Sequence, residues 1–149
     1  MPYQEKNAVI SLFSIAIVFG FYFYFTKQNF SAGLFDGADA GVLIGKSILW
    51  LIFGGAIFQI IAQVVFHIIY VVIAKEPNTS SLVDERDKLI ELRTLRVAYY
   101  IIFVGFVTAM IALAMGQSIF VTIHILLSFT VIAGIVESLM QIFLYRRGF

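Results

Sequence analysis

Glu137 and His67 are the two side chains in this sequence best suited to moving a proton, because both ionise and both stand inside long apolar runs. Gln63 lies one helical turn before His67, and Gln141 lies one turn after Glu137, so four polar groups could converge. Taking the runs to end at Ala74 and Tyr145, with 1.5 Å per helical residue, puts His67 about 10 Å and Glu137 about 12 Å from one shared boundary. The expectation is an intramembrane polar pocket of Gln63, His67, Glu137 and Gln141, with Thr130 and Gly134 on the Glu137 side. There the carboxylate would favour a charged imidazole, while burial would oppose charge on either partner. An acidic side chain near the bilayer centre costs on the order of 3 kcal/mol unless it is paired, protonated or hydrated. The structural alternative is a polar bolt between helices, worth about 0.6 to 2 kcal/mol.

Other chemistries find little support. Cysteine is absent, which removes disulfides, thiolate metal sites and thiol redox chemistry. His67 and His124 sit near opposite ends of their runs, roughly 15 Å apart along the membrane normal, too far to ligate one haem iron. A metal held by His67 and Glu137 would have only two protein ligands, so neither metal nor cofactor is expected. For His124 the expected role is a hydrogen bond to Ser128 or to interfacial water. With ten basic against nine acidic residues there is no long basic face for nucleic acid. No nucleophile and base pair points to an enzyme.

The elements that would carry these groups are helices in lipid. Hydrophobic residues make up 61% of the chain and charged residues only 13%, too few charges for a soluble surface. Apolar runs at about 8–26, 42–74, 97–116 and 119–145 each approach or exceed the ~20 residues that cross ~30 Å of hydrocarbon. The fold class is therefore all-α: a single domain over 1–149, an integral membrane four-helix bundle. The first run is long, crowded with aromatics and lacks a small-x-small site after it, so it reads as a retained span rather than a signal peptide. Eight of the ten basic residues fall at the termini or in 75–96, leaving Lys27 and Lys46 for the other face. The positive-inside rule then places both termini and the 75–96 loop in the cytoplasm, and Lys46 snorkels toward Asp36 or Asp39.

Helices in lipid associate through small residues and polar contacts. On the second span Gly41, Gly45, Gly55, Gln59, Gln63 and Tyr70 share a side; on the third, Gly105, Ala109, Ala112 and Gly116 form another strip. Both strips are expected to face the bundle interior or a second copy of the chain. A hinge at Gly54 and Gly55 is the functional alternative. The Gln117-Ser118 turn is so short that spans three and four must form an antiparallel hairpin, whereas the longer Lys27 to Ala40 segment, with Gly33, Asp36, Gly37 and Asp39, reads as an external loop between spans one and two.

The loop holds the densest charge: Asp84, Glu85, Arg86, Asp87, Lys88, Glu91, Arg93 and Arg96, punctuated by Leu89, Ile90, Leu92 and Leu95. After a turn at Pro77 to Ser80, Ser81 or Asp84 can cap a helix, Asp84 can pair with Lys88, and nothing separates this helix from span three. It would be an interfacial collar on lipid phosphates or a docking surface for a cytoplasmic protein or a second copy. Asp84-Glu85-Arg86-Asp87, followed by a Leu- and Arg-rich run into Tyr99-Tyr100, resembles the central signature of an uncharacterised family of small four-span membrane proteins of bacteria and archaea. The resemblance covers about a third of the chain and implies no established activity. Its members' placement beside helix-turn-helix regulators implies a regulatory or stress-related setting.

The leading functional expectation is a cytoplasmic-membrane protein of regulatory, sensing or interaction type acting through the charged loop. The rival is a small proton- or ion-linked transporter or permeability factor using His67 and Glu137.

Overall fold

The computed structural model describes residues 3–35, 37, 39–74 and 85–147. They form four helices: α1 Tyr3–Ser31, α2 Ala40–Ala74, α3 Glu85–Ala114 and α4 Ile119–Arg146. All four are long and apolar enough to cross a membrane. The 35 residues of α2 extend about 52 Å, so it must tilt or protrude from a ~30 Å hydrocarbon layer. Trp50 is 79% exposed, and large apolar side chains lie open along every helix. Such a surface would aggregate in water but suits lipid contact.

Backbone chemistry sets the ends of the helices. At the end of α1, Gly33 has φ 72°, the Gly33 N–H donates to the Phe30 carbonyl and the Leu34 N–H to that of Asn29. At the end of α3, Gly116 has φ 81°, with Gly116 N–H to Leu113 and Gln117 N–H to Ala112. Both are Schellman caps, which satisfy the last carbonyls and favour glycine in the left-handed position. Gly116 thus belongs to the turn, two residues past the end of α3. Ser118 then opens α4 by accepting the Val121 N–H.

Neighbours follow the order α3, α4, α1, α2. The α3–α4 hairpin has the most extensive seam, α1 lies against α4, and α2 leans on α1 with only slight contact to α4. Ile90, Thr94, Ala98, Gly105 and Ala109 form the buried stripe of α3. A methyl group at Gly105 would overlap Phe129 of α4, so the missing side chain permits this close approach. On α2, Gly55 faces Val18 of α1, whereas Gly41 and Gly45 face open space. Ala109 is fully buried and Ala112 partly so. No break occurs at Gly54 and Gly55, through which α2 runs as continuous helix.

As expected from the charge pattern, α3 begins as a charged extension continuous with its apolar part. Asp84, its pairing with Lys88 and the proposed Ser81 cap lie outside the described residues, as do Pro77 to Ser80. Asp36, the expected partner of Lys46, also lies outside them.

Candidate functional site

Because α2 leans away from α4, a cleft of about 600 Å³ opens between α1, α2 and α4. Its polar wall is assembled from three helices. α1 supplies Ser11 and Ser14, α2 supplies Gln59, and α4 supplies Thr130, Glu137, Ser138 and Gln141. Helical spacing explains the α4 contribution, since 130, 134, 137, 138 and 141 recur on one face, and Gly134 lets Ile15 of α1 approach. Gln59 donates to Ser11 Oγ at 3.2 Å, a polar contact between α2 and α1.

Glu137 and Gln141 are thus brought together, with Gln141 Nε2 3.5 Å from Glu137 Oε1 and 3.4 Å from Thr94 Oγ1 of α3. The α2 partner differs from expectation. Gln59 lines this cleft, while Gln63 and His67 lie exposed farther along α2 and take no part in its lining. Equal depth was expected to match His67 to Glu137, but α2 packs mainly on α1 and only slightly on α4, and His67 is not among the residues that line the Glu137 cleft.

No described residue offers Glu137 a cation. The charge that acts on it belongs to Glu91 and is of the same sign. Glu5 provides the contrast: its side chain is only 3% exposed, yet it accepts a 2.7 Å ion pair from Arg146 Nε. This bond ties the start of α1 to the end of α4, and the neighbouring Lys6 ammonium lies 5.0 Å from the Tyr70 ring of α2. The first turn of α1 is therefore held from two sides.

A smaller cavity of about 180 Å³ adjoins the cleft at this loop-side end. It is walled by Gln4 and Asn7 of α1, Asp87 and Glu91 of α3, and Gln141 and Tyr145 of α4. Tyr145 and Asp87 face each other across it. Gln141 belongs to both walls, so it stands where the polar vestibule and the Glu137 cleft adjoin.

The other ends of α1 and α4 are joined by aromatic packing around His124. Its Nδ1 lies 2.7 Å from the Phe120 carbonyl, which can only accept, so Nδ1 carries a proton and, in the neutral ring, Nε2 accepts from the Tyr22 hydroxyl at 3.3 Å. Ser128 does contact His124, but through its backbone: the hydroxyl donates to the His124 carbonyl at 2.7 Å. Phe30 and Phe35 each pack on Phe120 with ring centroids 5.0 Å apart.

On α3, Glu85, Arg86, Lys88, Arg93 and Arg96 are exposed, and Asp87 is half-buried toward Tyr145. Leu89, Leu92 and Leu95 are exposed beside the basic groups, while Ile90 and Thr94 turn inward. Among the described residues no group of three or more His, Asp or Glu is arranged to hold a metal ion.

Sequence reasoning missed Ser11, Ser14, Ser138, Glu5 and Tyr145. For the serines a signal existed: Ser11 and Ser14 are three apart in an apolar run, as are Ser138 and Gln141. Comparison with family models, curated proteins and solved structures gives no match.

Proposed function

We propose that this chain is a small proton- or ion-linked membrane transporter or permeability factor, in which Glu137 takes up and releases the ion. One observation carries the reading: within the described residues, Glu137, in the apolar span α4, lines an open and largely apolar cleft with no basic partner. An acidic group so placed must hold a proton, a cation or water, and intramembrane acids of this kind mark ion pathways. A purely structural acid would resemble Glu5, buried and neutralised by an arginine. The vestibule beyond Gln141 supplies hydrogen-bonding groups along an approach from the loop-side end. By the positive-inside rule that end is cytoplasmic. The likeness of 84–87 to small prokaryotic four-span proteins favours the cytoplasmic membrane of a bacterium or archaeon.

The test is proton movement into liposomes that contain the purified chain and a trapped pH-sensitive dye. An imposed pH gradient should dissipate faster with the protein than without it, and Glu137→Gln should abolish the difference while the protein remains folded. Equal rates for the wild type and Glu137→Gln would remove Glu137 from the pathway.

A second reading has its own support. The exposed basic groups and leucines of α3 lie on a side that α4 does not use, which suits regulation or sensing through lipid phosphates, a cytoplasmic protein or a second copy. Charge reversal at Arg86 and Lys88 should then release a co-purifying protein without changing proton movement.

A further inference from the structure

The Glu137 cleft does not end among the polar groups. Val18, Leu51 and Gly55 line it and equally line a second cavity of about 620 Å³, which continues along α1 and α2 toward Asn29 and Ser47. The two halves differ in chemistry. The first carries the carboxyl group, and the second is walled by Phe21, Tyr22, Phe25, Trp50 and Phe58. Where the two cavities meet, Val18 packs closely on Gly55: a Cβ there would lie 3.1 Å from Val18 Cγ1, so a larger side chain would push α1 and α2 apart at the boundary.

We propose that the two halves form one binding site for a lipophilic monovalent cation, with its positive centre on the Glu137 carboxylate and its apolar body in the aromatic groove. This rests on the reading of Glu137 as an ion-exchanging group and names the class of solute. Charge selects the ligand: a carboxylate without a basic partner repels anions and gains most from a cation it need not share. The groove selects for an apolar, polarisable body, since ring faces attract both aromatic groups and diffuse positive charge. Size agrees as well, because each half falls in the range of small-molecule sites. From the level of Ser14 to that of Phe25 the site spans about 16 Å of helix. A bilayer acyl chain would fit the groove but would leave the carboxylate unused.

Cation and proton compete for one carboxylate, so binding to the protonated form releases one proton. Glu91 of α3 is the charged neighbour facing Glu137. α1 and α2 present only Ser11, Ser14 and Gln59 to the cleft, and the α4 wall adds the neutral Thr130, Ser138 and Gln141. Binding should therefore weaken as pH falls.

The probe is radiolabelled tetraphenylphosphonium, added to the full chain in lipid nanodiscs, with tetraphenylborate as an anion of the same shape. Saturable binding of the phosphonium alone is expected. Glu137→Gln should weaken it at least about tenfold, as for loss of a charge pair, while Glu137→Asp retains part. Trp50→Ala should weaken it about threefold to thirtyfold. Gly55→Leu should also weaken it, by displacing Val18 and α1 where the two cavities meet, and Phe103→Leu on the exposed side of α3 should leave it unchanged. Equal binding of phosphonium and borate, or binding indifferent to Glu137→Gln, would mean that the groove merely holds lipid-like molecules and would overturn the proposal. Glu137-dependent proton movement without phosphonium binding would defeat the ligand assignment alone; loss of both would defeat the underlying reading as well.

Discussion

Removing either partner of the Glu5–Arg146 ion pair should have unequal consequences. Glu5 has 3% of its side chain exposed and Arg146 has 61%, so the two charges depend on each other to different degrees. Arg146→Met keeps most of the aliphatic stem but leaves a buried carboxylate without its cation, a change that typically costs about 3 to 5 kcal/mol. Glu5→Gln leaves a guanidinium that water already solvates, and the new amide oxygen can still accept from Arg146 Nε. That variant should lose no more than about 1 kcal/mol, the scale of an exposed pair. In the double variant the orphaned carboxylate disappears, so its stability should return close to that of Glu5→Gln. The assay is reversible unfolding in mixed micelles by increasing sodium dodecyl sulfate, followed by circular dichroism for all four proteins. Equal losses for the two single variants, or a larger loss for Glu5→Gln, would refute the reasoning from burial.

Three further outcomes follow from packing and backbone geometry. Gly105→Val should destabilise the α3–α4 hairpin by about 1 to 3 kcal/mol through overlap with Phe129, and Phe129→Ala in the same protein should recover part of the loss. Gly116→Ala, at φ 81°, should cost about 1 to 2 kcal/mol in the same unfolding assay, because a side chain is strained in that conformation. Tyr22→Phe should cost about 0.5 to 1.5 kcal/mol and shift the His124 Nε2 resonance in nitrogen NMR, since that nitrogen loses its donor.

The fold was largely legible because a bilayer imposes a length on every apolar run. The short Gln117-Ser118 connection also forced the α3–α4 hairpin, and the Gly105 and Ala109 spacing marked its seam. The polar site was legible only in part. Residue counting measures depth along the membrane normal and says nothing about which helices are neighbours, whereas Glu137 and Gln141 meet through the i, i+4 spacing of α4. With α2 packed on α1, Gln59 became the cleft's α2 polar group instead of Gln63 or His67. Glu5 was opaque for a related reason: its partner lies 141 residues away, and a charge in a first turn ordinarily faces water. The strip on α2 divided between two environments, with Gly55 against Val18 and Gly41 and Gly45 in open space, because α1 contacts only part of so long a helix.

Chemical access to Glu137 bears most directly on its role as an exchangeable ion carrier. An apolar carbodiimide, which reacts with protonated carboxyl groups from within the lipid phase, can be applied to the chain in vesicles and the modified residue located by peptide mass spectrometry. Glu137 should be modified in preference to Glu5, which the Arg146 guanidinium occupies, and lowering the pH should speed the reaction. An unmodified Glu137 under conditions that label Glu5, or labelling of neither, would contradict an open cleft with a replaceable proton.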